Sequence, residues 1–158
     1  MKTSILFMKT FASVLLLLAA TGSLFANDLQ LPAPHKTGGA PLMEALAKRS
    51  TSRAFDTRDL SLQQLSDLLW AGYGINRPDG KRTAPSAHNR QELQLYALLH
   101  DGAYVYDPVK NILQSVATGD LRQLGAKTEA AVCLLYVADL SKEKDAGASR
   151  RDLAAVDS

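Results

Sequence analysis

Between Leu93 and Ala117 three short apolar runs follow one another closely, and that spacing restricts the fold more than any other feature of the chain. "LQLYALL" (93–99), "AYVYD" (103–107) and "NILQSVA" (111–117) read as strands. The turn "HDG" links the first pair. "DPVKN" links the second, with Pro108 presetting φ between Asp107 and Asn111. Connections this short allow only antiparallel pairing, because a parallel return needs a crossover of a dozen or more residues. The expected product is a small antiparallel meander. "AVCLLYVA" (131–138) is apolar at successive positions and predicts a further strand, buried on both faces.

Helical spacing appears only upstream. In "SLQQLSDLLWA" (61–71), Leu62, Leu65, Leu69 and Trp70 with Leu68 build one apolar stripe. Ser61 is placed to cap it, and Gly72 and Gly74 to end it. "LMEALAK" predicts a short helix over Leu42–Lys48. Residues 75–84 are charged and turn-rich, a loop. Residues 119–128 are a candidate helix, "SKEKDAGASRRD" is polar and exposed, and "LAAVDS" starts another helix. Residues 27–41, with three prolines and two glycines, read as an extended lead-in without a core.

The first 26 residues belong to none of this. Lys2 and Lys9 precede the apolar run Phe11–Ala20, and small residues lead to Ala26 before Asn27-Asp28. That is the pattern of a secretory signal peptide, so the mature chain is expected to be exported, periplasmic or secreted. The alternative is an uncleaved N-terminal anchor; with cleavage, no stable membrane anchor remains. Removing 26 of 158 residues leaves 132, and Lys+Arg falls from 18 to 16 against 16 Asp+Glu. A formally neutral mature chain gives no electrostatic case for a nucleic-acid partner. Cys133 is the lone cysteine and sits in an apolar run, which predicts a buried structural thiol. No His/Cys/Asp/Glu spacing suits a metal.

Two polar stretches carry the chemistry. In "RSTSR", Arg49 and Arg53 flank three hydroxyl residues, and on a helix turn the two guanidinium groups would share one side. The stretch reads either as a solvated basic turn or as an anion cradle at a helix end. "APSAHNRQ" (84–91) is turn chemistry, with Ser86 as a possible N-cap and Asn89 and Gln91 offering amides that donate and accept. By itself each stretch is ambiguous.

Their order is more specific. A short helix leads into R-x-x-x-R with hydroxyls, then Phe55, then "LSDLLWAGYGINR", then "GKRTAPSAHNRQE" and the meander. This resembles the nitroreductase-like family of FMN-dependent oxidoreductases, in particular its exported members, over residues 42–158. The resemblance implies an α+β fold with a mainly antiparallel central sheet flanked by helices, and a homodimer with FMN at the interface. It implies that Arg49, Ser50, Thr51 and Arg53 grip the FMN phosphate and ribityl chain, with Ser52 variable. It implies that Pro85, Ser86, Ala87 and Asn89 reach the flavin from the other subunit, with Gln91 beside them. The implied reaction is hydride transfer from NAD(P)H through FMN to a nitro, quinone or related small-molecule acceptor, with no general-base triad.

The resemblance also implies segments beyond "VDS": a dimer-core helix, a strand and loop around the flavin ring, and a late basic residue. The expected domain is therefore incomplete at its C-terminus and marginal in stability. Two functions follow as alternatives: a truncated oxidoreductase, or a catalytically inactive paralogue acting as a flavin-binding or interaction module.

Overall fold

The computed structural model describes residues 27–56, 58–125 and 130–142. Residues 1–26, where a signal peptide is expected, the candidate helix starting at "LAAVDS" and part of the 119–128 candidate lie outside the described residues. The elements are β1 (Leu29–Gln30), α1 (Leu42–Lys48), α2 (Leu62–Tyr73), β2 (Leu93–Leu98), β3 (Gly102–Asp107), β4 (Ile112–Thr118) and β5 (Cys133–Ala138). The architecture is α+β. One antiparallel sheet has the order β1-β4-β3-β2-β5.

The meander forms as its spacing predicts. Tyr96 faces Val105 across β2 and β3, and Tyr106 faces Leu113 across β3 and β4. A bulge interrupts the second ladder: Ala103 pairs with Ala117 but Tyr104 pairs with Ser115. One extra residue, Val116, is accommodated there, and such insertions bend and twist the strand. Gly102 opens β3 with no room for a side chain, since a Cβ there would lie 2.6 Å from the Ala117 carbonyl oxygen.

Helix α2 covers one face of the sheet. A full capping box starts it: the Gln64 N–H donates to Ser61 Oγ at 3.2 Å, and the Ser61 N–H donates to Gln64 Oε1 at 2.9 Å. Leu65, Leu69 and Tyr73 are buried against Leu93, Leu95, Tyr104, Tyr106 and Leu113. Tyr136 of β5 donates its hydroxyl to the Gly72 carbonyl at 2.9 Å and meets Tyr73 edge to face. The helix runs two residues past Ala71, so Gly72 lies inside it and only Gly74 ends it. Gly74 does so without left-handed backbone, at φ −74°. It is glycine for space: an added Cβ would stand 2.6 Å from the Trp70 carbonyl oxygen and clash with the Trp70 ring. Gly74→Ala is expected to destabilise the fold by about 2 kcal/mol, an overpacking cost, read as a lower midpoint in urea unfolding. An unchanged midpoint would refute the close approach.

Three expectations change. The lead-in is extended but contributes to the core: β1 pairs with β4, and Leu31 is buried. The Asn111 side-chain amide reaches back to the Pro32 carbonyl at 2.7 Å, and Ser66 Oγ donates to the same carbonyl at 2.6 Å. Strand β5 is an edge strand and is not buried on both faces; Tyr136 and Val137 are exposed, and Cys133 is half-buried. An apolar strand predicts cover, yet the sheet order gives β5 a neighbour on one side alone. Between Gly119 and Gly125 the described chain makes only a single 3₁₀ turn, Arg122–Leu124. Among the described residues, no helix is long and apolar enough to cross a membrane.

Candidate functional site

The turn before β2 is strained and locked. His88, Asn89 and Gln91 all have left-handed backbone, with φ of 53°, 54° and 48°. Outside glycine such conformations are unfavourable, by roughly 1–3 kcal/mol where the side chain does not favour them, and they persist only where surroundings enforce them. Ser86 is the enforcing residue. Its hydroxyl accepts the Gln91 N–H at 2.7 Å and donates to Glu92 Oε2 at 2.9 Å. It is thus no helix N-cap; it ties the turn shut from inside. Glu92 is fully buried, and its Oε1 has no partner among the described residues.

The Gln91 side chain ties the turn to the preceding loop. Its amide donates to the Gly80 carbonyl at 3.3 Å and to Asn89 Oδ1 at 3.2 Å, and its Oε1 accepts from Arg82 Nε at 3.2 Å. The loop is pinned in turn to the end of α2: the Thr83 N–H donates to the Gly74 carbonyl at 2.9 Å, and Trp70 Nε1 donates to the Ile75 carbonyl at 3.2 Å. Between turn, loop and helix end lies a cavity of about 340 Å³, lined by Pro85, Ser86 and Asn89 of the turn and by Arg77, Lys81 and Arg82 of the loop.

Charge and burial meet beneath it. The Arg82 guanidinium lies over the Tyr73 ring, 4.4 Å from its centroid. Burial pushes the Tyr73 phenol above its ordinary pKa; Arg82 opposes that shift and Glu92 adds to it. Burial pushes Tyr106 up to about 12, again against Arg82. Both phenols therefore stay neutral at physiological pH, and Tyr73 lines the cavity.

Of the eight residues expected to bind cofactor, the structure gathers the second four. Pro85, Ser86 and Asn89 face one cavity, and Ala87 opens the 3₁₀ turn that carries Asn89. Arg49, Ser50, Thr51 and Arg53 lie elsewhere, and none of them lines this cavity. Helix α1 stops at Lys48, and residues 49–54 are irregular and exposed, so the two arginines do not share a helix turn. The helix end there is a C-terminus, which presents carbonyls and not N–H groups. Any anion held at this point is held by side chains: the Arg49 N–H is spent on the Leu46 carbonyl at 3.2 Å, while the side chains of the four show no hydrogen-bond or ion-pair partner among the described residues and stand open to solvent. Ser52 donates to the Ala54 carbonyl at 3.0 Å. Sequence reasoning overlooked Arg77, Lys81, Arg82, Tyr73 and Glu92. The signal was present in "NRPDGKR", a basic cluster just ahead of the turn, which reads by itself as a solvated loop.

The description of the nitroreductase family matches residues 46–156. A Methanocaldococcus jannaschii protein bearing the name "Putative nitroreductase MJ1384" is 33% identical over 90 residues, covering 53% of this chain and 44% of the relative. A crystal structure from Ralstonia eutropha JMP134, also named for a nitroreductase, superposes with a TM-score of 0.77 at 36% identity, covering 87% of this chain and 68% of that one. The chain thus spans less than half the length of the curated relative. With a match across most of its length and a shared fold, the chain belongs to the nitroreductase family.

Proposed function

We propose that this chain is an exported FMN-dependent oxidoreductase of nitroreductase type, working as a homodimer that passes hydride from NAD(P)H to a nitro, quinone or related acceptor. The observation that carries the reading is the locked turn. Left-handed backbone at three residues, with the Ser86 hydroxyl both donating and accepting inside the turn, presents Pro85, Ser86 and Asn89 to one cavity.

The residues suit the cofactor. Arg49 and Arg53 offer forked donors to a phosphate, and Ser50 and Thr51 offer hydroxyls to a polyol chain. Ser86 Oγ has its proton and one lone pair committed internally, so toward a flavin ring it can only accept or act through backbone and shape, while Asn89 supplies the amide. FMN, when bound, supplies two-electron transfer from the reductant to the acceptor. The phosphate-gripping group and the ring-facing group do not meet in one chain, an arrangement in keeping with two half-sites completed across a dimer.

The test is a titration of the mature chain with FMN, followed by quenching of flavin fluorescence, with sedimentation to follow the dimer. Saturable binding with dimer formation is the expected result; a monomer that leaves FMN fluorescence unchanged would discard the reading. The half-exposed apolar edge strand β5 favours a second reading, a flavin-binding or interaction module without turnover. Oxidation of NAD(P)H by the FMN-loaded protein separates the two.

A further inference from the structure

The part of the cavity lining contributed by the loop ahead of the Pro85–Asn89 turn is basic, and the flavin reading gives it no role. We propose that this wall is an oxyanion subsite, in which Arg77 and Lys81, backed by Arg82, receive the phosphate or carboxylate of a small ligand that enters beside the flavin. The identity of the neighbouring occupant rests on the flavin reading; the anion site itself does not.

Preorganisation is the main argument. The Arg77 guanidinium is held by two hydrogen bonds, Nε to Asn76 Oδ1 at 3.0 Å and Nη2 to the Arg82 carbonyl at 3.1 Å. Arg82 is held by Gln91 and by the Tyr73 ring. A solvated arginine keeps its rotamers; two fixed guanidinium groups have already lost that freedom, which lowers the cost of binding an anion.

The second argument is charge left unanswered. Among the described residues neither Arg77 nor Arg82 has an ion-pair partner, and Arg82 Nη1 is buried without an acceptor. The carboxylate of the same loop, Asp79, pairs with Lys81 at 2.9 Å; its pKa is lowered first by Lys81 and only lastly by Arg77. The other carboxylate, Glu92, is buried and bound to Ser86. A cavity of about 340 Å³ suits a small-molecule group.

Two sources of the oxyanion are possible, the phosphate groups of the reductant and a carboxylate on the acceptor. The full chain carrying Arg49→Ala/Arg53→Ala, which removes the phosphate grip assigned to FMN, is first titrated calorimetrically with inorganic phosphate, without flavin. Arg77→Gln is expected to weaken binding about tenfold, the worth of one charge-assisted contact. Lys110→Gln, on the β3–β4 turn and outside both sites, should leave it unchanged. Arg77 is exposed, and circular dichroism checks that its variant stays folded. Undiminished binding when Arg77→Gln is added to that background, or no binding there at all, overturns the proposal. With FMN loaded, KM is then compared for NADPH against NADH, and for 4-nitrobenzoate against nitrobenzene. A preference for the more anionic member of either pair, lost in Arg77→Gln, supports the subsite and identifies its source. No preference in either pair overturns it. Phosphate binding without flavin binding would count against the flavin reading alone.

Discussion

Leu69→Ala is expected to lower the melting temperature by about 10 °C or more. Leu69 is completely buried on the face of α2 that seats on the sheet, in the same core as Leu95 and Leu113. Truncating a buried leucine removes its transfer energy and leaves a cavity, together roughly 2–5 kcal/mol. In a domain of this size each kcal/mol moves the midpoint by a few degrees. The informative control is Leu68→Ala, one residue away but 39% exposed. It should shift the midpoint by no more than a degree or two, since exposed substitutions cost about 0.5 kcal/mol or less. Equal shifts for the two variants, followed by circular dichroism, would mean that α2 is docked on some other face.

The second large effect concerns ligand affinity and leaves stability alone. The double variant Arg49→Ala/Arg53→Ala is expected to weaken FMN binding about a hundredfold, two charge-assisted contacts to phosphate being lost together. Neither arginine has a structural partner among the described residues, so the melting curve of the free protein should not move. Riboflavin, which lacks the phosphate, supplies the control. The unsubstituted chain should prefer FMN to riboflavin, and the double variant should bind both equally weakly. A preference for FMN that persists in the variant would place the phosphate elsewhere and sink the assignment of these residues.

Periodicity made the central elements readable before any coordinates. The apolar stripe through Leu65 and Leu69, the Ser61 cap and the turns at His100–Gly102 and Asp107–Asn111 are all local, and all appear in the fold. What escaped is nonlocal. Nothing in "NDLQLPAP" reveals that Leu31 enters the core, because its partners stand some eighty residues away. Nothing in "AVCLLYVA" separates a central strand from an edge one, since apolar character records a need for cover and not the sheet order that meets it. At the site, Ser86 was legible as a turn residue. Its bond to Glu92 was not, because a glutamate beginning a strand reads as solvent-facing until the burial around it is known. The basic wall was similarly ambiguous: a run of arginine and lysine looks alike whether it is solvated or held in place.

The sheet order carries a consequence for how the chain assembles in time. Strands β2, β3 and β4 are joined by tight connections and close contacts only a few residues apart, whereas β1 meets β4 across more than eighty positions, Leu29 opposite Leu113. Short loops close on the microsecond scale or faster, and distant pairings arrive late because chain entropy must be surrendered first. The meander is therefore the early nucleus and the N-terminal edge the last piece to settle. In pulsed hydrogen exchange, the amides of β2 and β3 should gain protection before that of Leu31, whose N–H donates to the Asn111 carbonyl.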